Sequence, residues 1–409
     1  MKRLAILISL TALAAAAVSC NKDNPANNPY KPLDLSTKSA QFAQQGNTFA
    51  FNLLDRVNDV TQKDFVISPL SLQFLLGMIL DGAQGQTADE ICQVLGYGAG
   101  EVDAVNEYSL SMLQQLPTLD KKTTLAIANA IVVNKNYVLL DSYKSDVNRY
   151  YQAEVSNLDF SDKNGTANTI NQWCSKQTNK LIPEIIKPQD VSSSVLAYLM
   201  NALYFKSQWK EKFPKGSTSN EAFTKEDGSK STVSMMKINE DFTYQEDDVM
   251  RVVNLPYGNG AFSMLVILPA DGKKLSDVTN YLNGQTWADF RSTMVRCDVD
   301  LWLPKFEIKF EIQLKDILCA IGMPSAFTSS ADFKAMSQSA LYLSFVKQNA
   351  VIKVDEEGTE AAAVSMAGMD ATSAPPGAHI VFHAQQPFLY LITESSTGAI
   401  LFAGKVTGN

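Results

Sequence analysis

The alternation of apolar and polar positions divides the chain into a largely helical first part and a mixed remainder. Residues Phe42 to Val57 carry apolar side chains at helical spacing, the stripe by which an amphipathic helix faces a core. Ser68 followed by Pro69 supplies an N-cap and a proline at the first helical position, so a helix is expected over Leu70 to Leu80. Thr87 and Glu90 have the spacing of a capping box and predict the opening of another helix. The run Gly96-Tyr97-Gly98-Ala99-Gly100 follows that helix and not a strand, which argues for a helix-ending turn against a phosphate loop. Beyond Lys122, β-type runs appear at Leu125 to Val133, Val195 to Phe205, Arg251 to Leu255, Phe262 to Leu268 and Val299 to Leu303, with a helical stretch at Ile170 to Lys180 between them. Near the C-terminus come Ala350 to Val354, His379 to Phe382, Phe388 to Thr393 and Ala399 to Val406, with one long interruption. The mixture predicts an α+β fold.

Composition narrows the class. The 409 residues are 45% apolar and 19% charged, an ordinary globular balance able to bury a large core. The net charge of -8, with no run of Lys or Arg, gives no electrostatic footprint for nucleic acid. At the N-terminus Lys2 and Arg3 precede an apolar run from Leu4 to Val18 that ends Ala17-Val18-Ser19-Cys20. This predicts an export signal over residues 1–19, too short to span a bilayer comfortably. Its end is similar to a bacterial lipobox, in which the cysteine, here Cys20, becomes the lipidated first residue; Ala17 stands where such boxes usually have Leu. A plain secretory signal with an incidental cysteine is the alternative. Residues Asn21 to about Leu35 are polar and Pro-rich, so 20–38 is expected to be a tether without a fold of its own. The mature chain is then an outer-membrane or cell-surface lipoprotein, or a secreted or periplasmic protein.

Catalytic chemistry finds little support. The chain has two histidines, His379 and His383, so any Ser-His or Cys-His mechanism would have to use one of them. On a strand they lie on one face but ~13 Å apart, too far to share a metal ion. HExxH and GxSxG are absent, and Cys92, Cys174, Cys297 and Cys319 are scattered among apolar neighbours without a CxxC pair, which predicts buried free thiols. No metal, no cofactor and no enzymatic activity are expected, although paired-carboxylate and Ser-Lys chemistry carry no diagnostic spacing to test.

The long interruption, Asp355 to Ala378, has no aromatic residue. Loops of more than ~12 to 15 residues in a compact domain are usually functional or disordered. Read with period two, Thr359, Ala361, Ala363, Ser365 and Ala367 form one small, uncharged face, while Glu360, Val364, Met366 and Asp370 fall on the other. Gly358 precedes this run and no proline occurs until Pro375. Such a segment is a candidate for insertion as a strand, since a glycine absorbs a hinge change and proline would block ladder bonds. A flexible surface excursion is the plain alternative.

The hinge-like sequence Glu357, Gly358, Thr359, Glu360, Ala361, Ala362 and Ala363 resembles the reactive-centre loop hinge of inhibitory serpins. Further segments match serpin motifs in serpin order: Phe65 to Ser71, Asn201 to Trp209, Leu303 to Phe306, Ala331 to Phe333 and Gln386 to Phe388. The resemblance implies a single serpin domain over 39–409, helices around a large central sheet with smaller sheets, and an exposed loop at about 356–378. It implies a monomeric suicide-substrate inhibitor: a serine protease, or a cysteine protease, cleaves the loop and is trapped as an acyl-enzyme while the loop inserts. Family counting puts the scissile bond at Thr372-Ser373, within about one residue. Ser68, Ser71, Asn201, Gln348 and Trp209 fall where the sheet opens, with Gln348 standing where the family usually has histidine. No Lys or Arg occurs between Lys353 and Lys405, and Ala371, Thr372 and Ser373 are small, so elastase-like or subtilisin-like targets are expected and trypsin-like ones are not. A serpin-fold binding protein without inhibitory activity is the runner-up.

Overall fold

The computed structural model describes residues 27–359 and 379–408. Its helices gather on the first half of the chain because that is where the apolar stripes lie. α1 (Thr37–Val60) and α2 (Pro69–Asp81) lie deepest, and almost every residue of α2 is inaccessible to solvent. Ser68 caps α2 by accepting from the Ser71 amide, as its sequence position predicts. α3 (Gly85–Leu95) ends at Gly96, whose φ of +80° and the Tyr97 amide bond to the Cys92 carbonyl make a left-handed C-terminal cap.

The expected capping box at Thr87 and Glu90 is not the start of α3, whose N-cap is Gln84, three residues earlier. Both side chains are drawn outward instead. Thr87 Oγ1 accepts from the Asp332 amide, and the Glu90 carboxylate accepts from the Ser325 amide and hydroxyl, so they fasten a distant loop to the helix. The later helices are α4 (Val102–Gln115), α5 (Asp141–Tyr151), α6 (Lys163–Gln177), α7 (Leu275–Tyr281), α8 (Gly284–Ser292) and α9 (Lys315–Ile321). The stretch expected over Ile170 to Lys180 begins in the second half of α6, whose N-cap is Asp162, but the helix ends at Gln177, three residues short of the expectation.

Two sheets carry the fold. The larger runs in the order β1 (Phe65–Ile67), β15 (Ile400–Val406), β14 (Phe388–Glu394), β8 (Phe262–Pro269), β7 (Met250–Tyr257), β6 (Lys230–Glu246), β9 (Val295–Pro304) and β13 (His379–His383), with β5 (Ser219–Thr224) paired to β6. β8, β14 and β15 are buried along their whole length and are mostly apolar, with Ser263, Thr393, Glu394 and Lys405 as buried polar exceptions. The second sheet runs β10 (Phe306–Gln313), β11 (Lys347–Asp355), β12 (Gly358–Thr359), β4 (Ala197–Gln208), β2 (Thr124–Asn134) and β3 (Glu154–Leu158). A main core lies between the sheets and helices, and a smaller one packs α6 against the outer face of β2 and β4 around Phe160, Ile170, Tyr198 and Met200.

The chain from Asn27 to Ser36, expected as an unstructured tether, is pinned to the domain. Leu33 is buried, its amide donates to Ser396 Oγ, and Asp34 and Gln115 exchange two hydrogen bonds. A polar, proline-containing stretch satisfies its backbone through side chains of the domain in place of regular structure.

Candidate functional site between two parallel strands

β11 and β4 run parallel, and among the described residues they form no ladder with each other. What joins them is β12, which is antiparallel to both: Gly358 and Thr359 pair with Asp355 and Val354 on one side, and with Gln208 and Ser207 on the other. β12 comes after β11 through a tight turn at Glu356 and Glu357, so the chain leaves the sheet and re-enters it at once. Beyond Thr359 a cavity of about 420 Å3 opens between the strands, lined among others by Ser71, Asn201, Leu203, Gln348 and Ala350.

Close packing holds the two inserted residues. Gly358 adopts φ +150°, and a Cβ there would overlap the Ser207 carbonyl oxygen and lie 2.7 Å from Gln208 Cα. The glycine is thus required by the approach of the β4 backbone, as well as by any hinge motion. Thr359 points into the core, and its Oγ1 shares a 2.6 Å hydrogen bond with the hydroxyl of Tyr257. Tyr257 stacks on Trp209 with ring centres 4.5 Å apart and planes 10° apart. Trp209 in turn donates from Nε1 to the Asp355 carbonyl and from its amide to the Glu357 carbonyl.

The turn is clamped by charge. Glu356 accepts from Lys305 at 2.7 Å and from Thr218, while Glu357 faces Lys212 at 2.8 Å and Lys215 at 3.0 Å. Hydrogen bonds from Lys212 and Lys215 hold the Glu357 carboxyl below the usual range. Burial works against ionisation of Glu356, but the bonds from Lys305 and Thr218 outweigh it and lower that pKa too. Lys215 is raised correspondingly by Glu357.

Further along the gap lies a polar network. Gln348 on β11 accepts from the Ser68 amide at 3.0 Å and donates to the Ser68 carbonyl at 2.9 Å. Ser68 Oγ donates to the Leu401 carbonyl, Ser71 Oγ donates to Asn201 Oδ1, and Asn201 donates to Asn129 on β2. Side chains from β11, α2, β4 and β2 thereby meet at one point beneath the sheet. An amide at position 348 grips both polar groups of one residue, which a neutral imidazole could not do from one edge.

The structure brings Ser68, Ser71, Asn201, Gln348, Trp209, Glu357, Gly358 and Thr359 to the two sides of this gap. Cys20, Glu360, Ala361, Ala362, Ala363, Thr372 and Ser373 lie outside the described residues. Sequence reasoning missed Tyr257, Lys212, Lys215, Thr218 and Lys305. Tyr257 closes an apolar strand and its partner lies 102 residues away, so no local pattern marks it. His379 and His383 each face a carboxylate of β9, Asp298 at 2.8 Å and Asp300 at 2.9 Å. All four cysteines of the described residues are free thiols; Cys319 is half-buried and the others buried, and burial pushes Cys92 up to about 11.

Two sheets wrapped by helices, the six-stranded one holding the two residues of β12 between β11 and β4, define the class: this is the serpin fold. The family model described as Serpin (serine protease inhibitor) matches residues 44–408, and the chain belongs to that family. Neuroserpin of Mus musculus is 32% identical over 357 residues, covering 84% of this chain and 86% of that protein. Among solved structures, a thermophilic serpin, tengpin, in its native state superposes with a TM-score of 0.82 at 27% identity, covering 93% of this chain and 96% of that one. Thyroxine-binding globulin in complex with thyroxine gives a TM-score of 0.80 at 28% identity, covering 90% and 99%. The family is described by serine protease inhibition, and membership speaks for this chain at that level only.

Proposed function

We propose that the protein is a suicide-substrate inhibitor of proteases whose cleaved loop completes the second sheet between β11 and β4. The observation that carries this reading is the seat of Thr359, inward-facing and laddered to both strands. Its side chain sets the parity for the residues after it. Continuing the same register brings position 361 opposite Phe205 and Ile352, 363 opposite Leu203 and Ala350, and 365 opposite Asn201 and Gln348. Every inward residue on that path, Ala361, Ala363 and Ser365, is small, and Ser365 would arrive beside the polar network where its hydroxyl has partners. A new central strand gains ladder bonds on both edges, so the uncleaved state is held away from a more stable one by a barrier.

In this mechanism the protease serine attacks the carbonyl of the scissile residue, near Thr372-Ser373, and the bond to the following nitrogen breaks. Insertion then drags the ester-linked protease away before water can release it. The small residues Ala371 to Ser373 suit elastase-like or subtilisin-like pockets, with a cysteine protease as a further class, and a trypsin-like pocket has no cation to receive. Export with a lipid anchor at Cys20 would place the inhibitor at an outer-membrane or cell surface, and without lipidation it would be secreted or periplasmic. It would act as a monomer.

The test is incubation of the full chain with an elastase-type serine protease. The expected products are an SDS-resistant covalent complex and, for the fraction cleaved without trapping, a large rise in melting temperature. Cleavage giving neither would overturn the inhibitor and favour the serpin-fold binding protein, a reading that the likeness to thyroxine-binding globulin with its bound thyroxine keeps specific.

A further inference from the structure

The segment Asn27 to Ser36 does more than lie on the surface, because its polar contacts converge on the end of the gap at which β12 is seated. The centre is Asp120, 2% exposed, in the turn that leads into β2. Its Oδ1 accepts from Asn28 Nδ2 at 2.6 Å and from the Lys122 amide, and its Oδ2 accepts from Thr123 Oγ1 at 2.8 Å and from the Asn259 amide at 3.3 Å. Thr123 Oγ1 shares a 2.6 Å hydrogen bond with Ser207 Oγ, and Ser207 is the residue of β4 opposite Thr359. Asn259 sits in the turn between β7 and β8, two residues past Tyr257, and donates to the carbonyls of Leu119 and Pro29. Asn28 Oδ1 accepts from the Lys121 amide, and Lys121 Nζ donates to the Asn27 carbonyl.

Two bodies meet at this hub. β2, β3 and β4 form one side of the gap, and Asp120 and Thr123 belong to it. The β7–β8 turn belongs to the larger sheet, which also receives the other end of the segment through Leu33 and Ser396. We propose that the segment is a clasp: Asn28, bonded to Asp120 and Lys121 on one side and accepting from Asn259 Nδ2 at 3.5 Å on the other, fastens the β2–β4 side to the β7–β8 turn and opposes the displacement of β4 from β11. It thereby raises the barrier against widening of the gap in the uncleaved chain. This rests on the insertion mechanism above for its purpose, though not for its exchange test.

Amide hydrogen exchange of the full chain, with no protease present, reads the clasp directly. Asn28→Ala removes a hydrogen bond to a buried carboxylate, and exchange over Leu203–Gln208 should rise roughly tenfold. Asn28→Asp sets a second carboxylate against Asp120 and should raise it further, while Ser161→Ala, remote from the hub, should leave it unchanged. On prolonged warming the Asn28 variants should also lose complex-forming capacity faster than the parent chain, starting from the same initial capacity. Exchange over Leu203–Gln208 equal to the parent's in both Asn28 variants would overturn the clasp. If the exchange rises but the parent chain traps no protease, the clasp stands and the inhibitory function falls.

Discussion

The hydroxyl pair of Tyr257 and Thr359 offers the sharpest test of whether the hinge is seated in the sheet before any cleavage. Both groups are buried, and each is the other's side-chain partner at 2.6 Å. Tyr257→Phe keeps the ring, its stacking on Trp209 and its contact with Phe205, but leaves the Thr359 hydroxyl unpaired. Thr359→Val keeps the shape and strands the Tyr257 hydroxyl. An orphaned buried hydroxyl costs about 1–3 kcal/mol, so each single change should favour local opening of β12 by that amount. At 1.4 kcal/mol per tenfold, exchange of the Gly358 and Thr359 amides should rise about 5- to 150-fold in each single variant. The double variant loses both hydroxyls together and leaves neither orphaned. Its exchange should fall near or below that of the single variants, a coupling of about 1–3 kcal/mol in the double-mutant cycle. Additivity of the two changes within ~0.5 kcal/mol would show that the hydroxyls do not meet, and that β12 is not seated as described.

Neighbouring contacts set further outcomes. Thr359→Arg puts a long cation where the structure has a 3%-exposed side chain; with an elastase-type protease, gel analysis should show continued cleavage with at least a tenfold loss of trapped complex, and unchanged trapping would refute the seat. Burial pushes the Asp81 carboxyl up to about 6, with the Asn106 bond only partly offsetting it. Ionisation is therefore disfavoured in the fold, and stability declines as pH rises from about 4 to about 6 and then levels off. Asp81→Asn should stabilise the protein by about 1–2 kcal/mol at pH 7.5, discounted for partial exposure, and by little below pH 4; an equal gain at both pH values by calorimetry would contradict this. Glu357 has the opposite sign. Its pKa is lowered by Lys212 and Lys215, so its contribution is present above the ordinary carboxylate range and lost as pH falls through the depressed value. Exchange at Gly358 should increase on acidification below about pH 4, and Glu357→Gln should raise exchange at neutral pH and flatten that dependence.

Features whose cause is local were legible before folding is considered. The Ser68-Pro69 cap, the left-handed glycine at 96 and the buried runs of β8, β14 and β15 depend on neighbours a few residues away, and each is visible as a pattern. The family was legible for a related reason: the motifs from Phe65 to Phe388 record packing constraints in fixed order. β6 was not legible, because its 17 residues mix exposed, half-buried and buried positions without a clean period, pairing with β9 along one part and with β7 and β5 along others. Nor could Thr87 and Glu90 be read correctly, since the groups they bind lie more than 230 residues away and outcompete the local cap they spell. Only folding pins the polar N-terminal segment at Asp120, brings five side chains distant in sequence to clamp Glu356, Glu357 and Thr359, and holds β4 and β11 apart. Those are relations between residues that meet only in three dimensions, and an unpaired strand edge leaves no mark on the sequence of either strand.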